Sequence, residues 1–225
     1  MKTLVCTKPH QFDYATQEIP LRKSGETLLK IERIGICGTD LHAYEGTQPF
    51  FNYPRILGHE LAATIVETAA ADFSNGEAVT IIPYFNCGTC IACLNNKANC
   101  CAAIKVFGVH IDGGMREYVV VPNYALVKSN GLNFDELALV EPLAIGAHGV
   151  RRADVKPNEY VLVIGAGPIG LGIMEFARIA GAHIIAMDVN EQRLSFCENN
   201  LSVSFTINPA KENVLEKLQA ITNKN

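Results

Sequence analysis

The chain has 225 residues, 48% of them hydrophobic and 19% charged, a globular mixture that excludes disorder as the main state. Nineteen Lys and Arg against 23 Asp and Glu leave a net charge of −4 with no basic block, which argues against a nucleic-acid partner. The apolar runs, such as Tyr160–Ile164, are strand-sized, so no membrane partner is expected. The N-terminus meets charge at Lys2, too early for a secretory signal, which points to the cytoplasm.

In chain order, residues 1–152 read as a β-rich first domain. Thr27–Ile36, Leu61–Glu67, Ala78–Pro83 and Tyr118–Val121 are rich in β-branched residues and punctuated by Gly, Pro and Asn, which predicts strands. Phe134–Arg152 has apolar residues at helical spacing, with Pro142 as a kink or break. From residue 153 the style changes to alternation. Strands are predicted at Tyr160–Ile164, Ile184–Met187 and Val203–Ile207, and helices at Ile169–Ile179, Glu191–Asn200 and Ala210–Thr222. That order predicts βαβ units on a parallel sheet over residues 153–225.

Five of the eight cysteines lie in residues 87–101. Cys87, Cys90 and Cys93 at regular spacing, with a fourth nearby, suit one tetrahedral Zn²⁺ in a closed, structural site. Cys100 and Cys101 compete for the fourth place. A second, dispersed set is Cys37 in GICGTDLH, His59-Glu60 in LGHE and Glu141 in VEPLA. Thiolate, imidazole and carboxylate suit a catalytic zinc with one position open. Composition alone favours a plainer account, in which His59 is a hydrogen-bonded histidine and Glu141 a polar residue at a helix end.

The third motif is Gly165-x-Gly167-x-x-Gly170, placed after one predicted strand and opening a helix. Asp188 ends the next strand. Glycines let the backbone approach a pyrophosphate at a helix N-terminus, and the acid accepts hydrogen bonds from the adenosine ribose.

Together these motifs resemble the zinc-dependent medium-chain alcohol and polyol dehydrogenases. The matching pieces are GICGTDLH (35–42), PRILGHE (54–60), CGTCIACLNNKANCC (87–101), GVHIDGGMREYVVVP (108–122), EPLAIGAHGVRR (141–152) and VLVIGAGPIGLG (161–172). The resemblance covers essentially the whole chain. It is greatest to the branch that oxidises sugar acids, such as L-gulonate and L-galactonate 5-dehydrogenases. The L-threonine and sorbitol branches lie beside it.

The resemblance implies a fold class of α/β plus β: a GroES-like catalytic domain, then a Rossmann domain. It implies two Zn²⁺ per chain, NAD as cofactor, a small-molecule secondary alcohol as substrate, and a homo-oligomer in the full-length form. It makes Cys37 and His59 catalytic-zinc ligands, with Glu60 third in the polyol and threonine types or Glu141 in the alcohol type. Asp40 would orient His59, and Thr39 and His42 match the proton relay. Cys87, Cys90, Cys93 and Cys101 match the structural site. Gly165, Gly167, Ile169, Gly170, Asp188 and Arg193 match the cofactor site. Phe50, Phe51 and Tyr53 form an aromatic loop suited to lining a pocket, and Arg55 is suited to attracting a carboxylate, but packing roles suit these residues at least as well.

Ala63 stands where the family usually has Gly, and Glu77-Ala78 replaces a common acidic-basic pair; neither touches the chemistry. Family members run well past 225 residues. Residues 153–225 have room for about three strands, one mononucleotide half of two. A truncated gene product or a fragment is therefore expected. The alternatives to an enzyme are an inactive remnant and a zinc-stabilised, non-catalytic module.

Overall fold

The computed structural model describes residues 1–49 and 51–223; Phe50 of the aromatic loop lies outside them. The chain divides into two compact units, Met1–Glu141 and Pro142–Asn225.

In the first unit β1 (Lys2–Lys8) and β2 (Gln11–Thr16) form an antiparallel hairpin, where the sequence pattern predicts no element. Its signal is slight: only Thr3 and Cys6 of β1 are buried. Next come β3 (Glu26–Gly35), helix α1 (Gly38–Glu45), β4 (Glu60–Glu67), β5 (Ala78–Ile81) and the short β6 (Tyr84–Phe85). They are followed by α2 (Ile91–Leu94), β7 (Lys105–Val106), β8 (Tyr118–Pro122), β9 (Leu126–Lys128) and α3 (Phe134–Ala138). Five strands form one sheet in the order β8-β3-β4-β5-β9, antiparallel throughout. Its inner face buries Leu29, Leu61, Ile65, Val79, Val119 and Val121, each contributing about 1.5–3 kcal/mol by leaving water.

The register decides where chemistry can occur. Gly35, the last residue of β3, pairs with Glu60, the first of β4. Cys37 and His59 therefore leave the same end of the sheet. β5 runs antiparallel to β4, so the chain beyond β5, with Tyr84, returns toward that end.

The helix predicted over Phe134–Arg152 is two helices, α3 and α4 (Val140–Ala153). The break lies at Leu139, ahead of Pro142. Asn133 Oδ1 caps α3 by accepting from the Asp135 and Glu136 N–H groups, and Glu136 Oε2 accepts from Asn133 N–H in return. Pro142 sits in the first turn of α4, where its missing N–H has no helical partner to lose.

The two units part inside α4, whereas the sequence places the division after residue 152. The body of α4 belongs with the second unit. A Cβ at Gly146 would lie 2.9 Å from the Gly172 carbonyl carbon, and Val150 packs on the second core.

That second unit alternates β10 (Tyr160–Ile164), α5 (Pro168–Ile179), β11 (His183–Met187), α6 (Glu191–Leu201), β12 (Phe205–Ile207) and α7 (Val214–Ile221). The strands are parallel in the order β10-β11-β12. Val163, Ile184 and Ala186 of the sheet pack on Met174, Ala177, Leu194 and Cys197 of the helices. α7 begins later than the apolar spacing predicts because Asn213 Oδ1 caps it, accepting from Glu216 N–H. Among the described residues no helix is long and apolar enough to cross a membrane.

Candidate metal and dinucleotide sites

The end of β3, the start of α1 and the start of β4 bring three metal-ligating side chains together. The ligand atoms of Cys37, His59 and Glu60 all lie within 4.8 Å of one another. Cys37 is the N-cap of α1, and its N–H donates to Asp40 Oδ2 at 2.9 Å. Glu60 folds its side chain over Gly35. A Cβ at that position would fall 2.1 Å from Glu60 Oε2 and 2.8 Å from Glu60 Cβ, so only glycine leaves the carboxylate this place. The sequence motif contains Gly35 but gives no hint of this contact.

The electrostatics are those of an acidic pocket with too few cations. Asp40, His59, Glu60 and Glu141 are 3–7% exposed. Burial raises the pKa of Asp40 and of Glu60. Burial alone would lower that of His59, but the Cys37 hydrogen bond and the charges of Asp40, Cys37 and Glu141 outweigh it and push it up. One imidazole thus faces three buried carboxylates. A divalent cation fits such a donor set, because it offsets charge that burial makes expensive.

Asp40 lies on the Nδ1 side of His59, with 4.0 Å between Oδ1 and Nδ1, beyond hydrogen-bonding distance. Its oxygens accept instead from the N–H groups of Cys37 and Gly58. His59 Nδ1 is buried without a partner.

Glu141, the other candidate for third ligand, stands outside the three-residue group. Its Oε1 accepts from the Tyr84 hydroxyl at 2.6 Å. Tyr84 carries no sequence motif. It reaches the site only because β6 follows the sheet back to this end.

On α1, Thr39 is half-buried and His42 exposed, one turn apart on the same side of the helix. His42 Nδ1 lies 3.4 Å from Glu45 Oε2. The described part of the aromatic loop is engaged in packing. Phe51 and Tyr53 meet edge to face at 4.9 Å and cover Cys6, Ala43 and Leu57. Arg55 pairs with Asp112 at 3.2 Å.

The second cluster sits in the lobe around α2. Cys87, Cys90, Cys93 and Cys101 converge, and Cys100 stays outside them. Sulfur–sulfur distances are 3.5 Å for Cys90–Cys93 and Cys87–Cys101, and 4.0 Å for Cys87–Cys93. These match the edges of a tetrahedron with metal–sulfur bonds of about 2.3 Å, which are about 3.8 Å long. Backbone N–H groups of Cys87, Cys90 and Ala103 point at the sulfurs of Cys101, Cys87 and Cys101. Donors from Thr89 and Cys90 lower the Cys87 thiol to about 6. α2 buries no side chain of its own, so the lobe has little but its sulfurs to hold it.

In the second unit the glycine turn has the geometry its spacing predicts. Gly165 has φ +97°, a left-handed conformation open to glycine. A Cβ at Gly170 would lie 1.8 Å from the Gly165 carbonyl oxygen. Gly167 caps α5, Pro168 begins it, and Ile169 lies half-buried in its first turn. Asp188 follows β11 directly. Its Oδ2 accepts from Ala166 N–H and its Oδ1 from Asn190 N–H, both at 2.8 Å. These bonds hold its pKa below the ordinary carboxylate value. Arg193 Nη1 lies 3.7 Å from Asp188 Oδ2. A cleft of about 420 Å³ opens beside the turn, lined by Gly167, Pro168, Leu171, Asn190, Arg193 and Phe196.

Comparison with known proteins places these sites in context. Residues 23–131 match the alcohol dehydrogenase GroES-like domain and residues 168–225 the zinc-binding dehydrogenase domain. The chain is 43% identical over 222 residues to L-galactonate-5-dehydrogenase of Escherichia coli K12, covering 98% of this chain and 65% of the relative. It is 31% identical to sorbitol dehydrogenase of Bacillus subtilis, covering 99% and 65%. The rspB alcohol dehydrogenase of E. coli CFT073, solved with NADH, superposes with TM-score 0.91 at 33% identity, covering 99% of this chain and 66% of that one. The chain thus spans about 65% of the length of these curated relatives.

Proposed function

The chain belongs to the zinc-type medium-chain alcohol dehydrogenase family, and on that premise we propose that its protein oxidises a secondary alcohol of the sugar-acid or polyol class with NAD. The observation that carries this is the meeting of Cys37, His59 and Glu60 within 4.8 Å in a buried acidic pocket.

Cys37, His59 and Glu60 would hold one zinc with a position open to substrate, and Cys87, Cys90, Cys93 and Cys101 a second in a closed, structural site. When bound, the first zinc would supply Lewis acidity toward the substrate hydroxyl and the nicotinamide would supply a hydride acceptor. The residues of the chain do the rest. Asp40, opposite His59 Nδ1, favours a proton there and leaves the lone pair of the other ring nitrogen free to ligate a metal. The Thr39 hydroxyl both donates and accepts, so it suits taking the proton of the substrate hydroxyl. His42 is exposed, and an imidazole in contact with solvent suits passing that proton to water.

At the cofactor, Gly165, Gly167, Ile169 and Gly170 would cradle the pyrophosphate. Asp188 has one lone pair on each oxygen left for the ribose hydroxyls. NAD rather than NADP is favoured because a carboxylate at that place repels a 2′-phosphate. Arg193, the nearby cation, is drawn to Asp188.

The likeness to the L-galactonate and sorbitol enzymes supports the substrate class. Its test is a panel of sugar acids, polyols and L-threonine with NAD on the whole gene product, read as NADH formed. Turnover of the sugar acids or polyols is expected. No turnover with any of them rejects the proposal.

A further inference from the structure

Two buried glutamates compete for one place beside Cys37 and His59, and the fold treats them differently. Glu60 and Glu141 are equally withdrawn from solvent, each 7% exposed. Glu60 is seated over Gly35, with its carboxylate in the ligand group. Glu141, in the first turn of α4, is held by the Tyr84 hydroxyl at 2.6 Å. We infer that Tyr84 is a positioning residue that ties Glu141 back and so reserves the third ligand place for Glu60. This rests on the Cys37–His59–Glu60 group being the catalytic metal site.

Charge alone would not separate the two carboxylates, since a divalent cation attracts both. The difference lies in what each would give up. A hydrogen bond from a hydroxyl to an ionised carboxylate is among the stronger kinds, and 2.6 Å is the short distance expected of it. Leaving it would take from the half-buried Tyr84 hydroxyl its acceptor. Tyr84 is placed to hold on. Its backbone is fixed by β6, paired with Val106 of β7. A phenol with an ordinary pKa of about 10 carries its proton at neutral pH and so is a donor there. Among the described residues Glu60 makes no comparable hydroxyl contact, and its position over a glycine leaves it free to face the group. The result is three protein ligands and an open place, the arrangement that catalytic zinc sites keep.

The test reads coordination, not turnover. Zinc is kept in the four-cysteine site and Co²⁺ is placed in the other, and visible d–d absorption and chelator competition are recorded for the 225-residue chain. Tyr84→Phe frees Glu141. Cobalt should then gain a ligand, with weaker and shifted d–d bands and metal affinity raised about tenfold, within the range that residues beyond the ligands control. Adding Glu141→Gln to Tyr84→Phe should restore the original spectrum. An unchanged spectrum and affinity in folded Tyr84→Phe overturns the inference. If Tyr84→Phe does not fold, the single variants decide. Glu60→Gln altering the spectrum while Glu141→Gln leaves it alone supports the assignment, and the reverse overturns it. Cys37→Ser without any spectral change would instead reject the site itself, a separate outcome.

Discussion

Gly35 and Glu60 face each other across the β3–β4 register, and the glutamate's carboxylate fills the volume a side chain on residue 35 would need. The consequence is a site that a change outside its ligands can disable. Gly35→Ala puts a methyl where Glu60 Oε2 and Cβ now lie. Metal affinity at the Cys37–His59–Glu60 site should fall about 10–100-fold, with the far-ultraviolet circular dichroism unchanged. Full zinc retention after dialysis against a mild chelator would show that Glu60 is not needed as a ligand.

The two clusters should separate on substitution. Cys93→Ser should remove one zinc and lower the thermal midpoint, because a closed four-thiolate site contributes folding energy. Cys37→Ser should remove the other zinc and leave the midpoint nearly unchanged. Elemental analysis with a melting curve checks both. Unaltered zinc content in Cys93→Ser would remove the four-cysteine assignment.

Asp188 makes the stability of the second unit sensitive to acid. Backbone N–H groups of Ala166 and Asn190, with Arg193 nearby, hold its pKa below the ordinary value of about 3.9. A depressed folded pKa means stabilisation that is complete above pH ~4 and drains as pH falls through the lowered value. In Asp188→Asn the acid limb of a urea-midpoint curve between about pH 2 and 6 should be flatter. Parallel curves for the two proteins would contradict the assignment.

Asp188 should also discriminate between dinucleotides. A 2′-phosphate beside its carboxylate is repelled, so NADH should bind about tenfold or more tightly than NADPH, a difference of about 1.4 kcal/mol. Asp188→Ser should narrow the gap. Fluorescence titration of each cofactor measures it, and equal affinities in the native sequence would reject the reading.

The features legible in the sequence are the local ones. The Cys87–Cys101 spacing predicts convergence, and the four sulfurs meet because the intervening turns are short. The glycine turn, α5 and Asp188 follow one another within a single βαβ unit, where neighbours in sequence are neighbours in space. The β1–β2 hairpin is not legible, since only two residues of β1 are buried and alternation is faint. The helix break falls at Leu139 rather than at Pro142, because a capping box at Asn133 and a first-turn proline look alike from apolar spacing. Gly35 beneath Glu60 and Tyr84 beside Glu141 depend on strand register and on where β6 returns, which no local pattern encodes. The choice between Glu60 and Glu141 stays open in the sequence; the sheet sets Glu60 beside Cys37 and His59 and Glu141 against Tyr84.

If both clusters hold zinc as proposed, their contrast implies an order of assembly. The four cysteines lie within residues 87–101, so their loop closes at small entropic cost and needs no sheet. On that proposal, a nascent segment would be able to take up its ion as soon as it emerges. Cys37, His59 and Glu60 meet only after β3 and β4 have paired, a long-range event that comes late in folding. In a metal-starved cell the lobe would fill first, and the pocket at the end of the sheet would report whether the fold around it had closed.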